Sequence, residues 1–241
     1  MTSDSISALQ DIVSASSRMV FFGGAGVSTE SGIPDFRSAD GLYNQLHSVP
    51  PEVLISHTYY KQHPEEFFDF YKSKMLVTGA QPNKAHRWLA EAESKGKLIA
   101  VVTQNIDGLH QAAGSKKVYE LHGSVHRNYC EKCGKFYSGD YVKKAPGVPR
   151  CECGGIIKPD VVLYEEGLDD ATVRGAISAI RQADTLIVAG TSLTVYPAAG
   201  YLNYFRGGRL VLINRDPTPA DDIADLVIHD KVGEVLSQIR L

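Results

Sequence analysis

Four short runs are apolar on both faces: RMVFF (18–22), KLIAVV (97–102), DTLIVA (184–189) and GRLVLI (208–213). Each stops abruptly at glycine or polar residues. A strand with one wet face alternates apolar and polar positions, so runs without alternation require cover on both sides, as in a parallel sheet. Helical patterns separate the runs. Ile6, Leu9, Ile12 and Val13 repeat at helical spacing; 82–96 ends in Gly96, suited to a C-cap; and 169–183 carries a third such pattern. Strands alternating with helices predict an α/β fold, a Rossmann-like doubly wound parallel sheet.

Two stretches break the alternation. Residues 128–157 are rich in Cys, Gly, Pro and Lys and poor in core-forming sequence, so they are expected to be an insertion held by metal. Residues 38–81 carry Tyr59, Tyr60, Phe67, Phe68, Phe70 and Tyr71 around the helix-like HPEEFFDFYKSKM. The expected division is a large unit from 1–37, 82–127 and 158–241, and a small unit combining 38–81 with 128–157. No internal repeat or low-complexity linker interrupts it.

All four cysteines, Cys130, Cys133, Cys151 and Cys153, fall in the second stretch, as a CxxC hook and a tighter CxC hook. Two hooks supply the four donors of a tetrahedral Zn²⁺, and four thiolates leave no position for water or substrate, so the expected site is structural. The alternative is four unmetallated buried thiols. The net charge of −3 lacks a Lys/Arg block, so nucleic acid is not an expected partner. No apolar run reaches spanning length, and the first sixteen residues lack the basic start and apolar stretch of a signal peptide. A cytoplasmic location, where thiols stay reduced, is expected by default, with no membrane partner.

Chemistry-bearing residues gather where the apolar runs end. FFGGAGVSTESGIPDFR (21–37) reads as a strand, a tight turn and a helix start whose backbone N–H groups approach a phosphate, or is a plain tight turn. A dinucleotide fingerprint would place glycine at 29, where Thr29 stands. Phe36 and Arg37 follow a proline-stiffened turn, where packing alone explains them poorly. In VVTQNIDGLH, Gln104, Asn105 and Asp107 directly follow a strand, at the edge where open sheets bind ligands, although Asn and Asp also cap helices. His122 follows another short apolar segment, and a lone histidine is more often structural than catalytic. His126 matches no motif, and a surface or linker role is expected for it.

Together, GAGVS (24–28), GIPDFR (32–37), TQNID (103–107), LHG (121–123), the four cysteines and GTSLTVYPA (190–198) stand in the order seen in sirtuins of bacterial type. The resemblance runs from about residue 10 to the end of the given sequence. It implies an NAD-dependent protein lysine deacylase that yields nicotinamide, deacylated lysine and O-acyl-ADP-ribose. It implies a Rossmann-like domain beside a zinc-ribbon and helical domain, with NAD and an acyl-lysine peptide or protein meeting between them.

By matching position, Gly24, Ala25, Gly26, Thr29, Gly190, Thr191 and Ser192 would line phosphate and ribose. Asn214 and Arg215 would flank the adenosine, with Lys231 and Val232 near the adenine. Asp35, Phe36 and Arg37 belong to the cofactor loop, and Asn105, Ile106 and Asp107 to the nicotinamide pocket. His122 would be the general base acting through the ribose hydroxyls, with Gln104 and Asn105 orienting ribose and water. Phe36 would cover the reacting face. The peptide would add as a strand between Val161, Val162, Leu163, Tyr164 and Glu165 on one side and Val195 and Tyr196 on the other.

The chain departs from the family pattern at three places. Gly23 replaces a threonine, Tyr164-Glu165-Glu166 replaces Phe-Gly-Glu, and Tyr71 and Lys74 stand where acidic-acyl sirtuins carry Tyr and Arg. Lysine keeps the charge but lacks the bidentate fork, so deacetylation is expected to dominate over weak activity on succinyl-lysine. A monomer is expected. Three other readings share features: a non-catalytic NAD-sensing zinc protein, a mono-ADP-ribosyltransferase and a zinc-ribbon nucleic-acid binder. Retention of His122 and Asn105 disfavours the first, and the acidic charge the last.

Overall fold

The computed structural model describes residues 3–35, 41, 49–77 and 79–241. In chain order the strands are β1 Met19–Gly23, β2 Leu98–Thr103, β3 Val118–Glu120, β4 Gly123–Cys130, β5 Phe136–Ser138, β6 Ile157–Val161, β7 Thr185–Ala189, β8 Arg209–Ile213 and β9 Leu226–Ile228. Six of them form one sheet in the order β3-β2-β1-β7-β8-β9, every pairing parallel. The four apolar runs are β1, β2, β7 and β8, and the doubly wound expectation holds. Strand order reverses between β1 and β7, which opens a crevice at their carboxyl ends.

Both faces of this sheet are covered, as its lack of alternation requires. Met19 and Phe21 face a core with Leu9, Val13, Trp88, Leu89 and Val235 from helices Ser3–Ala15, Lys84–Ser94 and Val232–Leu236. Val20 and Phe22 point the other way, onto Ala176 and Ile180 of helix Asp170–Gln182. Burying each such side chain contributes about 1.5–3 kcal/mol before entropy. Helix Lys84–Ser94 begins where Asn83 accepts from the Ala85 amide, and His86 Nδ1 accepts from the Asn83 amide in return. It ends just before Gly96, at φ +73°.

The second sheet is antiparallel, in the order β5-β4-β6. Its core joins Val125, Tyr137 and Ile157 to Tyr60, Phe67, Phe68 and Tyr71 of the preceding helical stretch. Strands β4 and β6 run past both ends of the 128–157 segment, so the strand that begins beside His122 also carries Cys130. Among the described residues, no helix is long and apolar enough to cross a membrane.

Candidate active site

Pairing register brings four loop starts level at one edge of the parallel sheet. Gly23 lies opposite both Thr103 and Ala189, and Ala189 opposite Ile213. Gly24, Gln104, Gly190 and Asn214 therefore leave the sheet side by side. After Gly24 the chain makes two single 3-10 turns, Ala25–Val27 and Thr29–Ser31, where the sequence reading expected a helix start. The reason is contact with β7: the Gly26 amide donates to the Gly190 carbonyl at 2.8 Å, and a Cβ on Gly26 would lie 2.8 Å from Gly190 Cα. Gly190 is at φ +59°, and a Cβ there would lie 2.4 Å from the Val27 nitrogen. Only glycines permit this approach.

The loops from β1 and β2 enclose a cavity lined by Ala25, Ser28, Ile33, Pro34, Gln104, Asn105, Ile106, Asp107 and His122. Lys74, Met75, Val77, Val125 and Val161 complete its wall. The polar residues form two hydrogen-bonded chains. Asn105 Nδ2 donates to Ser28 Oγ at 3.1 Å, and Ser28 Oγ donates to Asp107 Oδ2 at 2.6 Å. The other Asp107 oxygen accepts from the Leu109 amide at 2.9 Å. Gln104 Nε2 donates to Thr191 Oγ1 at 3.0 Å, and the Thr191 amide donates to Asn214 Oδ1 at 2.9 Å. Asn214 Nδ2 is buried with no hydrogen-bond partner. A tight glycine turn, a buried unspent donor and a polar-edged cavity fit a dinucleotide laid across the crevice.

His122 stands between β3 and β4, where the chain passes from one sheet to the other. Its Nδ1 lies 2.9 Å from the Gln104 carbonyl oxygen, which can only accept, so Nδ1 carries the proton and Nε2 a free lone pair. Burial lowers its pKa from 6.5, partly offset by that hydrogen bond.

Two further residues shape the site. Ser28 holds Asn105 and Asp107 together; it lies inside GAGVS, but its two partners are far away in sequence. His126, which no motif claims, donates from Nε2 to the Asp107 carbonyl at 3.0 Å, and its ring occupies the space a Cβ on Gly108 would fill. Behind them, His86 and His110 pack edge-on with centroids 4.7 Å apart, and both ring nitrogens of His110 are buried without partners.

The cysteine sulfurs converge at the far end of β4, all within 4.8 Å of one another. Cys130 and Cys153 sulfurs are 3.4 Å apart, Cys133 and Cys151 sulfurs 3.6 Å apart, and none is in a disulfide. A ZnS₄ tetrahedron with 2.3 Å bonds has edges of about 3.8 Å, so the donor set fits one zinc ion. Gly155 is required here, since a Cβ would lie 2.6 Å from Cys130 Sγ.

A family model described as the Sir2 family matches residues 24–197. The chain belongs to the Sir2 family. It is 60% identical to the NAD-dependent protein deacetylase of Clostridium acetobutylicum over 240 residues, 98% of each chain. Among solved structures, it resembles a Sir2 histidine-to-alanine variant with a deacetylated p53 peptide and 3′-O-acetyl ADP ribose. That match has a TM-score of 0.90 and 41% identity, covering 97% of this chain and 96% of the other. It also resembles a Sir2 homolog–NAD complex, with TM-score 0.88 and 40% identity over 96% of this chain and 91% of that one.

In this Sir2 chain the remaining predicted residues divide by position. Phe36 and Arg37 lie outside the described residues, and Asp35 is half-buried just before them. Thr29 Oγ1 donates to the Gly26 carbonyl, closing the loop. Ser192 pairs with Thr194 at 2.8 Å. Arg215 is exposed beside Asp216, and Lys231 is exposed while Val232 is buried. Tyr71 does not line the cavity that Lys74 lines: its ring is fully buried, stacked 5.8 Å from Phe67, and its hydroxyl has no partner. The Tyr-x-x-Lys spacing therefore does not bring both side chains to the cavity.

The Tyr164-Glu165-Glu166 departure has a local structure of its own. Tyr164 pairs with Ser56 as a parallel bridge, donating its amide to Ile55 and accepting from His57. Glu165 adopts φ +75°, and its carboxylate accepts from the Thr58 amide at 2.9 Å. Glu166 accepts from the Leu163 amide and from Lys158, and its other oxygen lies 2.8 Å from His57 Nδ1. Val162 donates to the His122 carbonyl, tying this loop to the site, while Leu163 is buried. Across the crevice, Tyr196 is exposed and Val195 half-buried.

Proposed function

We propose that this chain is an NAD-dependent protein lysine deacetylase, with acetylated proteins or peptides as substrates. The observation that carries the reading is the His122–Gln104 bond, which leaves a neutral imidazole with a bare Nε2 on the wall of a cavity edged by Asn105 and Asp107. When bound, NAD supplies an electrophilic ribose carbon with nicotinamide as its leaving group. Asp107 and the Ile106 backbone would hold the carboxamide, Asp107 being fixed by Ser28. Gln104, tied to Thr191, would orient the ribose, and Asn105 a water. Gly24, Ala25, Gly26, Thr29, Gly190, Thr191 and Ser192 would hold phosphate and ribose. Asn214, Arg215, Lys231 and Val232 would sit along the adenosine.

His122 Nε2 would take a proton from a ribose hydroxyl, making that oxygen the acyl acceptor. Ile33 and Pro34 line the cavity and would help exclude water, and Asp35, Phe36 and Arg37 follow them in sequence. The peptide would lie between Val161, Val162, Leu163, Tyr164 and Glu165 and the Val195-Tyr196 turn. Cys130, Cys133, Cys151 and Cys153 would hold a structural zinc. In this reading the small unit is 38–81 with 128–157, the enzyme is a cytoplasmic monomer, and acetyl-lysine is preferred to succinyl-lysine because Lys74 acts without Tyr71.

Incubation with NAD and an acyl-peptide panel tests the reading. It requires nicotinamide release matched by deacetylated peptide, lost in His122→Ala. Labelled ADP-ribose on protein instead of on the acyl group would point to ADP-ribosyl transfer.

A further inference from the structure

Two lysines outside the site clasp one another's segments. The turn Tyr71–Met75 continues into Leu76 and Val77, and its Lys74, Met75 and Val77 form one wall of the cavity. Helix Gly139–Lys144 lies within the cysteine-bearing stretch. Lys143 Nζ, from that helix, donates to the Lys72 carbonyl at 2.5 Å and the Leu76 carbonyl at 3.0 Å. In return, Lys72 Nζ donates to the Ala145 carbonyl at 2.6 Å and to that of Gly147. Each ammonium thus satisfies carbonyls left open at the end of the other's helical segment, where a cation is also favoured by the helix dipole. The two segments also pack together. Leu76 is buried, and a Cβ on Gly139 would lie 2.8 Å from the Val125 carbonyl and 3.5 Å from Leu76 Cδ1. Val125 itself lines the cavity.

We propose that Lys143 and Lys72 are positioning residues that set the 74–77 wall of the cavity, and so fix how closely it fits the acyl group of the substrate lysine. The carbonyls held by Lys143 bracket Lys74 and Met75, and the second directly precedes Val77, so releasing them lets that wall move while the glycine loop, His122 and Asn105 keep their own partners. The proposal rests on the deacetylase reading for its kinetic consequence, but the clasp itself does not.

The test compares wild type, Lys143→Met, Lys72→Met and Lys143→Arg in two measurements. Without substrate, amide exchange across 71–77 should accelerate in the Met variants and return toward wild type in Lys143→Arg, whose guanidinium can still donate to two carbonyls. With NAD, the ratio of kcat/KM for acetyl- to butyryl-lysine peptides should change by about threefold or more in the Met variants. KM for the acetyl peptide should rise about fivefold, the size expected for losing about 1 kcal/mol of positioning. KM for NAD should move less than about twofold.

The acyl ratio does not depend on how much of a sample is folded, so partial unfolding cannot mimic the effect. An unchanged ratio with unchanged exchange overturns the proposal, as does an Arg variant as impaired as the Met variants. Faster exchange in a protein without NAD-dependent activity on any acyl peptide would instead overturn the deacetylase reading and leave the clasp standing.

Discussion

His122 and Gln104 are joined by a hydrogen bond from imidazole Nδ1 to a backbone carbonyl at 2.9 Å. The carbonyl belongs to the loop that leaves β2, and the imidazole to the link between the two sheets. The bond selects the tautomer with a basic Nε2 and fixes the ring against a backbone already pinned by the Gln104 amide on Gly23. Burial holds the pKa below 6.5. The acid limb of the kcat/KM profile should therefore lie below the ordinary imidazole value, because the base is neutral above its pKa and is lost only as pH falls through it. His122→Ala should lower kcat by about a hundredfold to ten-thousandfold. An acid limb above 6.5 would rule out this imidazole as the base.

Ser28 is the hinge of one polar chain, accepting from Asn105 and donating to Asp107. Ser28→Ala removes both bonds and leaves the Asn105 amide and one Asp107 carboxylate oxygen without that partner beside the cavity, the other oxygen keeping the Leu109 amide. A cost near 2 kcal/mol is expected, about thirtyfold in kcat/KM for NAD. Steady-state kinetics at saturating peptide measure it. Melting temperature should change little, since the freed groups border a solvent-reachable cavity.

Four sulfurs within 4.8 Å predict one zinc per chain and four thiols released on its removal. Cys133→Ser should abolish stoichiometric zinc, and chelation should lower the melting temperature in a chelator-dependent way. Metal analysis beside thiol titration checks the count. Because β4 carries Cys130 at one end and follows His122 at the other, activity should fall with zinc although no sulfur reaches the cavity.

His86 and His110 are buried side by side, and burial is the main cause lowering both pKa values from 6.5. Unfolded, they take up protons as pH falls through about 6.5. Folded, they do so only at lower pH, so the unfolded state binds more protons in that window and stability drops as pH falls. Each can contribute a slope of up to about 1.4 kcal/mol per pH unit. Denaturant unfolding from about pH 7.5 to about pH 5 should show a shallower loss in His110→Phe than in wild type.

The strands that carry the site were legible because they are buried on both faces: no polar position interrupts Phe21-Phe22 or Val101-Val102. β3 and β9 were not, being three residues long and buried fully only at Ile228, with no period to detect. The glycine loop announced a tight turn, but its contact with Gly190 involves a strand more than 160 residues away, so a helix start was the natural local reading. His126 carries no motif because its target is a backbone carbonyl, which any sequence offers. Tyr71 misled in the opposite sense. Its spacing to Lys74 suggested a shared pocket, yet the Phe67 and Phe68 cluster draws its ring inward.

Glu165 stands where the family pattern has glycine, and the backbone explains both residues. At φ +75° a glycine is unstrained and a glutamate is not. The strain is opposed by the carboxylate accepting from the Thr58 amide in the first turn of helix His57–Gln62; the Thr58 side chain first, and this amide second, lower the carboxyl pKa. Glu165→Ala keeps the strain and loses the bond, whereas Glu165→Gly loses the bond and the strain together. The alanine variant should therefore melt lower than the glycine variant, although alanine restricts the unfolded chain more and would ordinarily be the stabler of the two. Thermal melts at neutral pH decide it. If alanine matched or exceeded glycine, the left-handed conformation at 165 would not be costly in this loop.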